Sequence, residues 1–335
     1  MKIMPISDSP WAPTGFGTNT RNIASIFAEE GHTIGYAGCQ NSEHNPTWET
    51  PWPLGQEEKK VSFEILPLMF PGQEKFGERS FPKWMEGFQP ELIFTHLDIQ
   101  MFDYVTKGKV ITGVNIPFEN QEGGAINRAE FVKLARKAFK TANKDRFKLA
   151  SIIPIDGQPS IPAWVNTLKH VDYPIAMSYY GQTVMREDFN GYDSTVISHG
   201  VDTDFFKPVD MPKPNGAFVV GCVARNQHRK NIPRLMRSFK IFVEENNISP
   251  DDAKLLLHMD WTDHMGWNIQ YMASEHVYDI ADYIIPPTMG NLEKGEHPDD
   301  AGMVDIYNMM DVHGLPTGGE GFGIPTVEAM ACGIP

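Results

Sequence analysis

Residues 318–335 read GGEGFGIPTVEAMACGIP and join a glycine-rich loop to an apolar helix. Glycines let backbone amides approach a ligand closely, and the N-terminus of the following helix favours anions. Glu320 lies in the loop and Glu328 in the first turns of the helix. Both carboxylates are placed to accept hydrogen bonds from ligand hydroxyls. Alternatively, Glu320 is a loop charge and Glu328 a carboxylate favoured by the helix dipole.

The chain before this loop alternates short apolar strands with helical patterns, which is typical of parallel sheets covered by helices. The first series has strands over 2–6, 33–38, 91–96, 149–155, 173–178 and 195–198 and a helix over 18–30. The second has strands over 217–223, 254–259, 283–285 and 312–315 and helical patterns over 232–245, 304–310 and 325–332. Residues 207–216, rich in proline and glycine, are predicted to be a linker.

A second loop of chemical interest is residues 221–233, GCVARNQHRKNIP, where a strand ends, a basic loop follows and a helix begins. Arg225 and Lys230 are placed to bind a diphosphate together with the helix N-terminus. An ordinary basic loop is the alternative interpretation.

Other candidate positions lie in the first half of the chain. Residues 14–18, TGFGT, carry Gly15 and Gly17 between the first strand and the first helix. The dinucleotide fingerprint would need a third glycine at position 20, where Thr20 stands, so a dehydrogenase is disfavoured. His96 ends an apolar strand, where a lone histidine is more often structural. The pair Asp202 and Asp204 matches a DxD metal motif only superficially, and we predict no metal.

Several segments of the chain resemble one known protein family. Residues 319–335 resemble the EX7E signature of the large retaining GT-B glycosyltransferases of the family-four type, including its glycines, its proline and its AMA-x-G-x-P tail. Residues 221–233 are similar to the arginine-to-lysine element of that family, and 14–18 to its N-terminal glycine loop. Residues 198–208, SHGVDTDFFKP, resemble its hinge-proximal signature, although His199 replaces the usual asparagine.

The resemblance implies a donor site in the second half of the chain. It assigns Glu320 to the donor hexose, Glu328 to the ribose, and Arg225 and Lys230 to the donor diphosphate. Stabilising the charge on the leaving diphosphate is a large share of such catalysis. The remaining residues of the implied donor site are Gly321, Phe322, Gly323 and Ile324.

For the first half, the resemblance implies that Gly15 and Gly17 face the donor phosphates and that His96 points at the transferred sugar. The implied fold is α/β, of the GT-B type, with two Rossmann-like doubly wound domains facing a central cleft. We expect an N-terminal acceptor-side domain over 1–206 and a C-terminal donor domain over 217–335. The family normally continues with a further strand and closing helices, so we expect a C-terminal truncation and an incomplete donor domain.

Composition excludes several other classes of protein. A formal net charge of −14 disfavours nucleic-acid binding, which requires basic surface. The three cysteines lack CxxC spacing, which argues against a zinc site or disulfides. No apolar run has the length of a membrane helix or signal peptide, so we expect a cytoplasmic protein. Residues 128–148 carry eight basic and two acidic side chains, either as a solvated helix face or as a peripheral surface for an anionic acceptor or a bilayer.

The resemblance therefore implies a retaining, metal-independent hexosyltransferase with no cofactor other than its nucleotide-sugar donor, acting by front-face displacement on an unknown acceptor. Two alternatives are a non-catalytic nucleotide-sugar-binding protein and a related GT-B enzyme, such as an epimerase or phosphorylase. A glycosidase is disfavoured because its two carboxylates flank the scissile bond, whereas Glu320 and Glu328 share one loop-helix unit.

Overall fold

The computed structural model describes residues 1–12, 14–41, 43–53, 56, 58–69, 77–78, 80–109, 118–119, 125–126, 147–285 and 300–335. The chain divides into two compact units, 1–199 and 200–335. Most of the basic segment 128–148, and most of the stretch 115–127, lies outside the described residues. Within the part that is described, no helix is both long enough and apolar enough to span a bilayer.

The N-terminal unit is built on an eight-stranded sheet. Its strands run in the order β10-β9-β8-β5-β1-β2-β4-β3, all parallel except β3, which is antiparallel to β4. Two further two-residue strands, β6 and β7, pair with each other. The bounds are β1 Lys2–Asp8, β2 Thr33–Cys39, β3 Asn45–Pro51, β4 Lys60–Pro67, β5 Leu92–His96, β6 Phe118–Glu119, β7 Ala125–Ile126, β8 Lys148–Ile153, β9 Tyr173–Ala176 and β10 Thr195–Val196.

Helices connect these strands. They are α1 Gly15–Glu29, α2 Phe81–Phe88, α3 Asp103–Lys109, α4 Val165–Leu168 and α5 Tyr179–Asp188. The central strands are buried along nearly their whole length, as expected for parallel strands covered on both faces. Apolar side chains of these strands, such as Ile6 and Ile93, form one core with Met85 and Phe88 of α2.

The C-terminal unit is a smaller parallel sheet in the order β13-β12-β11-β14. Its strands are β11 Phe218–Val223, β12 Ala253–His258, β13 Ile284–Ile285 and β14 Val312–His313. Its helices are α6 Ile232–Glu245, α7 Ile269–Ala273, α8 Asp300–Asn308 and α9 Ile324–Ala331. One apolar cluster packs α6 on β11 and β12, and a second packs α8 and α9 on the other side of the strands.

Both sheets contain a topological switch point. In the N-terminal unit β1 is followed along the chain by β2 on one side, while the later strand β5 pairs with its other side. In the C-terminal unit β11 lies between β12 and the later strand β14. Open α/β sheets bind ligands where the strand order reverses, outside the carboxyl ends of the strands. The fold therefore marks two places for functional side chains, the loops after β1 and β5 and the loops after β11 and β14.

Most predicted elements occur within a few residues of their expected bounds, but the sequence patterns missed the strands β3 and β4 and the helices α2, α3, α4, α5 and α7. The edge strand β3 contains Pro46 and Pro51 and is largely exposed, so it lacks the apolar signature used to predict strands. Edge strands tolerate proline because one side of the strand needs no ladder hydrogen bonds.

The division between the units falls after residue 199, not after the predicted residue 206. Phe206 is buried with the C-terminal core and its ring contacts that of Tyr307 at 6.1 Å between centroids. In the predicted linker 207–216, the backbone N–H of Val209 donates to Asn308 Oδ1 at 2.8 Å. The stretch after residue 199 therefore packs with the C-terminal unit instead of forming an unattached connection.

A substitution in β2 tests the packing of the N-terminal core. In Gly35→Ala the new Cβ would lie 2.7 Å from the Phe88 ring, whereas at Gly87 nothing lies within 4 Å. We expect Gly35→Ala to lower the free energy of unfolding by about 1–3 kcal/mol through overpacking. The control Gly87→Ala, in α2, should be neutral or stabilising by about 0.5–1 kcal/mol. Urea unfolding of both variants checks this, and equal stabilities would contradict the packing described.

Candidate functional site

The first candidate site, called the β11/β14 site, comprises the loop 224–231 after β11 and the loop 314–323 after β14. Val220 pairs with Val312 and Gly221 with His313 in parallel register, so the two loops leave the same edge of the sheet. Residues that are ninety positions apart in the chain thereby become neighbours. This edge is the switch point of the C-terminal sheet.

An ion pair joins the two loops. Lys230 Nζ donates to Glu320 Oε1, and Lys230 is only 7% exposed. Burial lowers the pKa of Lys230, while its contact with Glu320 acts in the opposite direction. Arg229 adds a second cation, with Nη1 3.4 Å from Glu320 Oε2 and a hydrogen bond to the carbonyl of Gly319. The predicted residues Lys230 and Glu320 are thus in direct contact.

Backbone hydrogen bonds hold the same loops together. The N–H of Gly318 donates to the carbonyl of Arg229 at 2.7 Å. Within the second loop, the side-chain Oγ1 of Thr317 donates to the carbonyl of Gly319 at 2.9 Å. Gly323, with φ of +88°, then turns the chain into α9 in the left-handed region that favours glycine. The loop of Gly321, Phe322 and Gly323 therefore delivers the N-terminus of α9 at this edge.

Glu328 is anchored from α8. Tyr307 is fully buried, and its hydroxyl donates to Glu328 Oε2 at 2.6 Å. Burial, followed by the charge of Glu328, holds the pKa of Tyr307 well above its ordinary value, so the phenol stays a donor. Sequence reasoning found Glu328 but missed Tyr307, whose helical pattern carries no signal of a partner 21 residues away.

Arg225 has a different environment from Lys230. Its Nε donates to Asp263 Oδ2 at 2.7 Å, and its side chain is 58% exposed. Burial alone would raise the pKa of Asp263, but hydrogen bonds from Arg225 and the N–H of Met265 lower it overall. Asp263 lies in the segment that follows β12. It is Arg229, not Arg225, that shares Glu320 with Lys230.

Asn226 attaches that segment to the β11/β14 site. It is fully buried, its Nδ2 donates to the carbonyl of Trp267 at 2.8 Å, and its Oδ1 accepts from the N–H of Trp267 at 3.0 Å. The Trp267 ring contacts His228 edge-on, with 4.7 Å between centroids. A short aromatic and polar wall therefore borders the basic loop.

The second candidate site, called the β1/β5 site, lies at the other switch point and comprises Ser7, Thr14, Gly17, Thr20 and His96. Thr14 caps α1 by accepting from the N–H of Gly17 at 3.0 Å, and its hydroxyl donates to Asp8 Oδ2 at 2.7 Å. A Cβ on Gly17 would lie 2.7 Å from the carbonyl of Ser9, so the loop after β1 needs glycine there.

His96 is 1% exposed at the end of β5. Its Nδ1 lies 3.1 Å from Thr20 Oγ1, and its carbonyl accepts from Ser7 Oγ at 2.9 Å. Among the described residues its Nε2 has no hydrogen-bond partner. Burial, followed by the nearby imidazole of His199, holds the pKa of His96 well below its usual value. Thr20, which stands where the dinucleotide fingerprint has its third glycine, is thus the residue that contacts Nδ1 of this histidine.

Asp202 occupies a local turn. Its Oδ1 accepts from the N–H groups of Asp204 at 3.0 Å and Phe205 at 3.1 Å. The carboxylate therefore caps the turn that leads to the buried Phe206. This contact gives the DxD pattern a structural explanation. Independence of metal stays a prediction.

No protein-family model matches the chain. The chain is 32% identical over 121 residues to the capsular polysaccharide biosynthesis glycosyltransferase CapM of Staphylococcus aureus, covering 36% of this chain and 27% of CapM. It is 28% identical over 199 residues to the lipopolysaccharide core biosynthesis mannosyltransferase LpsB of Rhizobium meliloti strain 1021, covering 57% of this chain and 52% of LpsB. The alignments thus span 27% and 52% of these relatives' lengths.

Among solved structures, a glycosyltransferase from Rickettsia africae ESF-5 matches with a TM-score of 0.61 at 12% identity. The match covers 99% of this chain and 77% of that one. At this identity the likeness concerns the fold alone. The α/β chain, with its two parallel sheets, has the GT-B fold of such glycosyltransferase structures.

The buried histidines make stability depend on pH. Burial lowers the pKa values of His96, His199 and His313. The unfolded chain, with histidine pKa values near 6.5, then binds more protons, so the free energy of unfolding should fall below about pH 6.5. One histidine contributes at most about 1.4 kcal/mol per pH unit. Urea unfolding from pH 7 to 5 should show a smaller loss in His96→Gln. The control His264→Gln alters an exposed side chain and should keep the full loss; equal losses in both variants would contradict the assignment.

A double-mutant cycle tests the ion pair. We expect Lys230→Met and Glu320→Gln to destabilise singly and to show a coupling of about 1–3 kcal/mol, because each leaves a charge without its buried partner. The control is the pair Lys240 and Glu244 on α6, 3.4 Å apart, with a coupling of about 0.3–0.5 kcal/mol. Thermal and urea unfolding measure both cycles. A coupling no larger than that of the control would exclude a structural ion pair.

Proposed function

We propose that the chain is a retaining glycosyltransferase that moves a hexose from a nucleotide diphosphate sugar to a saccharide-containing acceptor. The observation that carries the proposal is the buried Lys230–Glu320 pair at the switch point of the C-terminal sheet. The resemblance of 319–335 to the EX7E signature supports the same reading. So do the names of the two sequence relatives, both glycosyltransferases of polysaccharide biosynthesis.

The charges of the β11/β14 site suit this ligand. Arg225, Arg229 and Lys230 place three cations on one loop, and the N-terminus of α9 adds a positive dipole end nearby. A diphosphate is bound by such groups, and arginine can bind phosphate oxygens in a bidentate manner. The carboxylates of Glu320 and Glu328 are acceptors for hydroxyls of the hexose and the ribose. Donor binding would replace some of the carboxylate contacts that hold these cations.

The reaction requires one bond to break and one to form at the same face of the sugar. The bond between the anomeric carbon and the diphosphate oxygen breaks, and the electron pair leaves with the nucleoside diphosphate. An acceptor hydroxyl bonds to the anomeric carbon and releases its proton, which the leaving phosphate oxygen can accept. Lys230, with the arginines, would stabilise the charge that builds on the leaving group. Of these cations Lys230 is buried, and a charge shielded from water acts more strongly than an exposed one.

The N-terminal unit is proposed to serve the acceptor side and the transferred sugar. His96 ends β5 at the switch point, and within the described part of the chain its Nε2 is not engaged. We propose that this atom contacts a sugar hydroxyl, as the resemblance implies. Gly15 and Gly17, in the loop after β1, are proposed to approach the donor phosphates. No step in this scheme uses a metal ion.

Ligand-dependent unfolding is the first test of the donor site. We expect one of UDP, GDP and ADP, or its hexose conjugate, to raise the melting temperature by several degrees, since saturation at about a hundred times the Kd adds roughly 2.7 kcal/mol. Glu328→Ala should abolish this shift while keeping the fold. The control Glu245→Ala, at the exposed C-terminal end of α6, should keep it. An unchanged shift in Glu328→Ala would refute its donor role.

Product analysis tests the reaction. With an α-linked donor we expect an α-linked product by nuclear magnetic resonance, and the same rate with a chelator present. An inverted product would refute retention, and loss of turnover with the chelator would refute metal independence. Donor binding without transfer to any of a panel of mono- and oligosaccharides would identify a non-catalytic binding protein instead.

A further inference from the structure

His199 is the clearest departure of this chain from the family signature that it resembles, and it lies in the same unit as His96. The ring centroids of His96 and His199 are 5.0 Å apart, with 36° between the ring planes. His199 is half-buried, and burial lowers its pKa. An asparagine at this position would present no ring to His96. The substitution therefore adds an aromatic contact at the β1/β5 site.

The contacts of the His96 imidazole define its orientation. Its Nδ1 lies 3.1 Å from Thr20 Oγ1, and the edge of the Phe16 ring packs against it with 4.9 Å between centroids. His199 supplies a second ring contact. A histidine ring has a broad, roughly two-fold torsional preference, so a half-turn would exchange Nδ1 with Cδ2 and Nε2 with Cε1 at small intrinsic cost. Contacts on several sides are needed to make one orientation dominate.

We propose that His199 is a positioning residue: it packs on the His96 ring and, together with Thr20, keeps Nδ1 on the threonine and leaves Nε2 as the atom that engages a hydroxyl of the transferred sugar. The inference rests on the proposed function for the identity of that ligand. The orientation itself is a property of the free protein. Displacing a reacting or positioning group by about 1 Å can cost 100-fold in rate, so a residue that fixes the orientation of the His96 ring can have a large effect on the rate.

Several neighbours of His96 can carry charge. On the strands next to β5, β1 contributes Asp8, whose carboxylate engages Thr14 and Gln40, whereas β8 places the apolar Ile152 opposite His96 in the ladder. In sequence, Arg21 follows Thr20 on α1 and Asp98 follows His96 by two residues. Of these neighbours, His199 is the one whose charge lowers the pKa of His96. Replacing it should let His96 accept a proton at higher pH.

The experiment compares His199→Asn with His199→Phe, which keeps a ring without its nitrogens. Nitrogen-15 spectra of histidine-labelled full-length protein report the tautomer and pKa of His96, assigned by loss of its signals in His96→Gln. We expect one tautomer in the unmodified protein and in His199→Phe. In His199→Asn we expect averaged ring signals and a higher pKa. Thr20→Val should also average the signals, whereas Thr20→Ser should not.

Transfer kinetics provide the second readout. We expect His199→Asn to lower kcat about 10- to 100-fold with little change in the donor KM, and His199→Phe to recover most of the loss. Unchanged His96 spectra and kinetics in His199→Asn would overturn the proposal. So would an equal kinetic loss in both variants with the His96 spectra unaltered. If the unmodified protein transfers no sugar, the spectra alone decide the positioning role, and the failure belongs to the proposed function.

Discussion

The buried contact between Lys230 and Glu320 is the interaction on which the C-terminal site depends. A lysine in this position loses its hydration, and the carboxylate of Glu320 on the opposite loop offsets that loss. The carboxylate is delivered by the parallel pairing of β11 with β14, which brings the two loops to one edge. Strand order, loop conformation and site charge are therefore consequences of a single arrangement.

The β1/β5 site also lies at a topological switch point, but the side chains that contact His96 there are uncharged. Thr14 caps α1 and donates to Asp8, whereas Ser7 and Thr20 contact His96 through their hydroxyls. Burial keeps this histidine uncharged, whereas pairing keeps the C-terminal cations in place. The two switch points thus provide different chemistry: hydrogen bonding in one unit and charge stabilisation in the other. The proposed transfer would use both, because a sugar is recognised by its hydroxyls and a diphosphate by its charge.

The site residues that the sequence patterns did not reveal were missed for a common reason. Tyr307, Asp263 and Thr20 each hold a residue that the sequence singled out, yet none stands in a glycine-rich or basic motif. Their partners are 21, 38 and 76 positions away. Sequence patterns report local periodicity and turn chemistry, and they carry no signal for a contact across a sheet edge. Arg229, which the sequence did not single out, lies beside Glu320 for the same reason.

The sequence by itself determined the alternation of strands and helices, the two series of elements, and the loops that carry Lys230, Glu320 and His96. These follow from apolar periodicity and from glycine and proline punctuation, which act over a few residues. Only the tertiary structure decided which loops meet, which cation pairs with Glu320, and that His199 packs on His96. Those outcomes depend on strand order and on the burial of each group, which a local pattern does not encode.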